Sequence, residues 1–280
     1  HGAPASAELN RQIEAVRQAT ERYREHGNAV ADGYLLFGAE GRLMGEHWYH
    51  PDLVRKQLDL THPATLQYAT VDGRRVLVGV AYNVYQRPGE ALPDGFAGSD
   101  DHWHVHDMPK LARALAEERP FLRWVIDRRA EQGKIGAGDH RSQLVMVHAW
   151  VWSDNPDGMF AQQHRALPYV RAGLPAEWAA RADAEAAWGV SLLRAGCQHE
   201  LARLNRLARL SADQQQQLSS ACADAAAAVR RAAADARSAD ALNGAARRAW
   251  LTFSKQRDGL LTPEQKRRLA SVIEPMHATH

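Results

Sequence analysis

The chain is predicted to be an α+β protein: an N-terminal helix on an antiparallel β-sheet, followed by an α-helical hairpin or bundle. Three observations carry that expectation. Apolar residues recur at helical spacing over residues 7 to 31, alternation and turn signals rule from about 33 to 153, and helical spacing returns after Leu174-Pro175. With 280 residues the chain is long enough for two domains, expected at 1–174 and 175–280.

Leu9, Ile13, Val16, Thr20, Tyr23 and Val30 define the apolar face of the first helix, which Asp32-Gly33 ends. Thr65 to Thr70 and Arg74 to Tyr85 are β-rich runs joined across Asp72-Gly73, the dipeptide of a tight hairpin. HWHVH at His102 to His106 and QLVMVHAWVW at Gln143 to Trp152 read as two more strands. With period 2, His102, His104 and His106 share one face, as do Leu144, Met146, His148, Trp150 and Trp152. Between these strands a helical insertion is expected at 109–132, followed by a Gly-rich return at Gly133 to Gly138 that lacks the phosphate-loop order GxxxxGK[ST].

Beyond the Asp154 to Gly158 turn cluster, Val190, Leu193, Cys197, Leu201, Leu204 and Ala208 form one helical stripe. Leu218, Cys222, Ala225 and Val229 form the next. Cys197 and Cys222 therefore lie on the buried faces of successive helices, where either a disulfide or two buried thiols fits the pattern. Leu210-Ser211-Ala212-Asp213-Gln214 and Leu261-Thr262-Pro263-Glu264-Gln265 each place a hydroxyl three residues before a Gln, the order of a capping box, and Pro263 falls at a first helical position.

Composition excludes several classes. No run approaches the roughly 18 apolar residues of a membrane span. Residues 175 to 280 carry 15 Lys/Arg against 11 Asp/Glu, and residues 1 to 174 carry 20 against 22, so neither part has the basic stripe of a nucleic-acid binder. Eleven of the 14 histidines precede residue 175, which places any imidazole chemistry in the first part. Two cysteines are too few for a four-cysteine zinc site, and no GxSxG nucleophile motif is present.

Ordered motifs run through the first part: Ala31-Asp32-Gly33-Tyr34, Met44-Gly45-Glu46-His47-Trp48-Tyr49-His50-Pro51, Leu58 to Pro63, Val78-Gly79-Val80-Ala81-Tyr82, and His148 to Phe160. Over residues 7 to about 165 they resemble an uncharacterised family of exported bacterial proteins with MGxHxxNP and HVWLWxxNPxGMF motifs. The family's Asn before Pro is His50 here and its VEY glutamate is Ala81, so no role carries over at those positions. The two Leu-hydroxyl-x-x-Gln pentads, within about residues 205 to 276, resemble the LTxxQ-motif periplasmic family of helical chaperones and metal sensors. That resemblance implies an exported or periplasmic location, with a signal peptide removed, and an antiparallel helical hairpin. It transfers no metal ligand.

Alternating imidazoles on one strand, with a third from a neighbouring strand, make a nitrogen donor set for zinc or copper. His47, His104 and His148 are the expected central ligands, with His102, His106, Glu46 and His50 as replacements or a fourth ligand. The expected function is periplasmic transition-metal binding in homeostasis or resistance. One alternative is a metal-dependent hydrolase or oxidase, with three His ligands, an open water position and Glu46 or Asp107 as base. The other is a structural or chaperone-like helical interaction module. The expected partner is the metal ion, with a homodimer through the helical domain as the open protein partner. Binding is preferred to catalysis because ligands are recognisable and a substrate-binding motif is not.

Overall fold

Helix α1 (Ala3–Thr20) buries Ile13 and Val16 at its sequence-predicted spacing, and Thr20 ends it. The Thr20 hydroxyl donates back to the Val16 carbonyl at 2.7 Å and accepts from the Trp152 indole at 3.0 Å. A 3-10 turn (Glu21–Arg24) and an extended Glu25 then lead into α2 (His26–Ala31). The single helix expected over 7 to 31 is therefore two, parted by that turn and by Glu25 in the extended region. The computed structural model describes residues 3–54, 58–86, 89–98, 101–106 and 143–276. The expected insertion at 109–132 and the Gly-rich return lie outside them.

The sheet comprises β1 (Leu35–Gly41), β2 (Gly45–Tyr49), β3 (Thr65–Val71), β4 (Arg74–Gln86), β5 (His104–His106) and β6 (Gln143–Ala149), in the order β1-β2-β3-β4-β6-β5 with every pair antiparallel. Asp72 and Gly73 both take positive φ, 48° and 76°, which gives the β3–β4 hairpin its two-residue turn. The register slips between Gln67 and Tyr68, whose partners are Gly79 and Leu77, so Val78 is an extra residue that bends β4.

Period-2 alternation separates the two faces. Leu66, Tyr68, Leu77, Val80, Tyr82, Val147 and Ala149 join Ile13, Val16 and Ala29 of the helices in one apolar core. This is the α+β arrangement of a helix on an antiparallel sheet. Strand β6 ends at Ala149, earlier than expected. Trp150 then donates its backbone N–H to the Met159 carbonyl at 2.9 Å, and Trp152 packs on the apolar core instead of sharing the face of His148.

The chain divides into His1–Gln162 with Glu274–His280, and Gln163–Ile273. The division precedes Leu174-Pro175 because α3 (Leu167–Arg171) belongs with the helices, where the Tyr169 hydroxyl donates to Asn243 Oδ1 at 2.7 Å. The second unit continues with α4 (Ala184–Val190), a π-helical turn (Leu192–Gly196), α5 (Cys197–Ala208), α6 (Ala212–Asp235), α7 (Ala239–Leu260) and, as far as Ile273, α8 (Pro263–Met276). Small residues allow close packing here: a Cβ on Gly189 of α4 would lie 2.1 Å from the Ala246 carbonyl oxygen of α7. A Cys197–Cys222 disulfide, with Cα atoms 5.7 Å apart, ties α5 to α6.

Candidate functional site

The face of the sheet opposite the apolar core is polar, and much of it is buried. Register places His47 of β2 beside Gln67 of β3, Gln67 beside Gly79 of β4, Ala81 beside His148 of β6, and Met146 between Asn83 and His104 of β5. Gln67 and His148 are fully buried, and His104 and Asn83 nearly so. Three strand spacings separate β2 from β6, about 14 Å on a flat sheet. Nevertheless the His47 and His148 ring centroids lie 5.7 Å apart. His104 stands edge-on to His148 at 5.0 Å, and Trp150 at 5.5 Å.

Hydrogen bonds assign the proton on two of these imidazoles. His148 Nδ1 faces the Gln162 carbonyl at 3.0 Å, and a carbonyl only accepts, so Nδ1 carries the proton and Nε2 is the basic nitrogen of the neutral ring. The Gln67 amide nitrogen donates to the Met44 carbonyl and to His47 Nε2, both at 3.4 Å, so His47 Nε2 accepts while the ring is held through the Gly45 carbonyl. Burial pushes the His47 pKa down to about 4, and the nearby His104 adds to the shift. The His47 ring is therefore neutral at pH 7.

Sequence reasoning named His47, His104 and His148, and the fold brings all three together. Glu46 is corrected: alternation turns it to the apolar side, opposite Tyr68, where Arg75 pairs with both carboxylate oxygens and the Trp48 indole donates to it at 2.9 Å. Burial raises the Glu46 pKa, but the Arg75 and Trp48 hydrogen bonds and the Arg75 charge outweigh it and hold the carboxyl below its usual value. His50 packs edge-on against Tyr34, which lies in the apolar core. His102 precedes β5 and is exposed. The His106 side chain and Asp107 lie outside what the structure describes.

Three further residues belong to this face: Gln67, Met146 and Asn83, which accepts from the Thr65 hydroxyl at 2.9 Å. Period 2 in QLVMVHA put Met146 on the face of His148, and the same alternation in TLQYATV is the signal that would have set Gln67 apart from Leu66 and Tyr68. Which strand would lie beside which was not readable. Met146 brings its sulfur to 3.2 Å from His148 Nε2.

Among the described residues, no group of three or more His, Cys, Asp and Glu side chains is arranged to hold a metal ion. The three rings are gathered, but they do not converge on one point. No helix among the described residues is long and apolar enough to cross a membrane. Comparison with protein-family models, curated proteins and solved structures found no match.

Proposed function

We propose that the protein binds a transition metal ion, zinc or copper, on this sheet face through His47, His104 and His148, and serves in metal homeostasis or resistance. The observation that carries the reading is the pair of oriented imidazoles. His47 and His148 are each anchored through a backbone carbonyl, which is how ligating histidines are held, and the Gln67 amide orients His47 from its other nitrogen. The His148 ring lies 5.0 Å from His104 and 5.7 Å from His47, so the three imidazoles are neighbours on one face.

Binding is favoured over hydrolysis because Glu46, the carboxylate nearest in sequence to a ligand, is bonded to Arg75 and Trp48 on the opposite face. The Cys197–Cys222 disulfide supports an exported, oxidising location, in keeping with the periplasmic resemblance of the helical pentads. Metal content of tag-free protein before and after chelation, followed by calorimetric titration with Zn(II), tests the reading. His148→Ala and His47→Ala should each weaken binding more than tenfold, about 1.4 kcal/mol. His199→Ala, an exposed position in α5, should leave it unchanged. Equal affinity in all three variants, with the fold intact by circular dichroism, overturns the proposal.

A further inference from the structure

We infer that the Gln67 side-chain oxygen is a ligand of the bound ion, next to His47. The inference rests on the metal-binding reading above and adds to it an oxygen donor that the histidine pattern does not contain. Gln67 is fully buried in the middle of β3, and the two ends of its amide are used unequally. The nitrogen faces the Met44 carbonyl, which only accepts, so nitrogen and oxygen are fixed in their places. The oxygen, Oε1, is buried and has no hydrogen-bond partner among the described residues. An amide oxygen withdrawn from water without a partner is a cost that folded proteins seldom leave standing, and a cation is one group that meets it.

Its position is that of a donor to the histidine face. Gln67 pairs directly with His47 across β2 and β3, and its amide nitrogen reaches His47 Nε2 only at 3.4 Å, the long end of a hydrogen bond. An ion can take that ring nitrogen while the amide keeps the Met44 carbonyl. The oxygen lies above Gly79 of β4, 3.2 Å from where a Cβ would stand, and Trp150 Cε3 is 2.9 Å from the same point. The Trp150 ring in turn stands edge-on to His148 at 5.5 Å. Gln67 Oε1 therefore lies between His47 on β2 and the Trp150 and His148 rings on the β6 side, and the glycine at 79 leaves it room. A neutral oxygen beside imidazoles suits Zn(II), which takes nitrogen and oxygen ligands, whereas Cu(I) selects soft sulfur.

Competition titrations of Zn(II) against a chromogenic chelator decide it, on the full chain, on Gln67→Leu and on Gln67→Glu. Leucine keeps the bulk and removes the oxygen, whereas glutamate keeps an oxygen and removes the N–H groups that face Met44 and His47. A ligand role predicts at least a tenfold loss of affinity in Gln67→Leu and an affinity in Gln67→Glu equal to or above the parent's. A role in holding His47 alone predicts a loss in both. In the parent, the Gln67 Cδ resonance should move downfield on addition of Zn(II), because a cation on the oxygen polarises the carbonyl, and this readout stands even where a variant fails to fold. A loss smaller than tenfold in Gln67→Leu, a folded Gln67→Glu that binds more weakly than the parent, or a Cδ resonance that Zn(II) leaves in place overturns the inference while leaving the metal-binding reading standing. A parent chain that retains no Zn(II) overturns the inference, and one that retains neither Zn(II) nor copper overturns the metal-binding reading with it.

Discussion

Gln214 and Gln265 clasp each other: each side-chain Nε2 donates to the other's Oε1 at 2.9 Å. Each Oε1 also accepts the backbone N–H of its own cap residue, Ser211 at 3.0 Å and Thr262 at 2.9 Å. Each Nε2 reaches a carbonyl from the opposite pentad's neighbourhood, Leu260 for Gln214 and Arg209 for Gln265. The two pentads are thus one near-symmetric joint that fixes the starts of α6 and α8 together. Their glutamines are consumed inside the helical unit and do not present a recognition surface.

Breaking the clasp should cost stability in a coupled way. Gln214→Ala and Gln265→Ala each leave the other amide and a cap short of partners, a loss of about 1–3 kcal/mol apiece. Because both remove the same pair of bonds, the double variant should be less destabilised than the sum, by about 1 kcal/mol. Urea unfolding followed at the helical circular dichroism band measures all four proteins. Strict additivity would mean the two glutamines act as independent caps.

The disulfide gives a second, independent measure of the helical unit. Its partners are 25 residues apart, so reduction frees loop entropy worth about 3 kcal/mol. Unreduced, denatured protein should take up no alkylating reagent, and reduced protein two equivalents, since the sequence holds two cysteines. A lower urea midpoint on reduction is expected, and an unchanged one contradicts the entropic account.

The fold was largely legible because its signals are local. The helical stripes, the Asp72-Gly73 turn and both capping boxes are each written within a few residues. For the candidate site, which histidines neighbour one another was foreshadowed and their arrangement was not. His47, His104 and His148 could be named from spacing, but Glu46 could be turned away from them only once β2 was placed beside β3. The bulge at Val78 carries only the weak signal of Gly79 beside it, since a glycine inside a strand run marks a bulge without fixing which residue is extra. The Gln214–Gln265 clasp was hidden for the same reason: a capping box predicts its own turn and says nothing about a partner fifty residues on.

His47 makes the sheet unit acid-sensitive. Its folded pKa of about 4 lies below its ordinary 6.5, so the unfolded chain binds the extra proton between those values. Stability is complete above pH 6.5 and falls as pH drops towards 4, by up to about 3 kcal/mol. His47→Gln should flatten that limb of the stability profile in metal-free protein. A parent profile that stays flat from pH 6.5 to 4.5 contradicts the assignment.

Glu46 should behave as a structural anion and not as a ligand. Glu46→Gln keeps the shape, gives up the charge opposite Arg75, and should lower stability by about 1–3 kcal/mol while leaving metal affinity within twofold. Loss of metal affinity with stability unchanged would restore it to the ligand set.

Gly79 sets the clearance over which the site is built. A Cβ there would stand 2.9 Å from Trp150 Cε3, 3.0 Å from the Ala149 carbonyl oxygen and 3.2 Å from Gln67 Oε1. The carbonyl belongs to the strand segment leading out of β6 and has little room to move, so the indole and the Gln67 amide must give way. Overpacking of this kind costs about 1–3 kcal/mol. It also falls on two groups that position the imidazoles, since Gln67 donates to His47 and the Trp150 ring stands edge-on to His148. Gly79→Ala should therefore lower both the urea midpoint and metal affinity, whereas Gly73→Ala, with open space around its Cβ but a positive φ of 76°, should lower the midpoint alone. Calorimetric titration of the two variants side by side separates them, and equal metal affinity in both would show that the site does not depend on the clearance at Gly79.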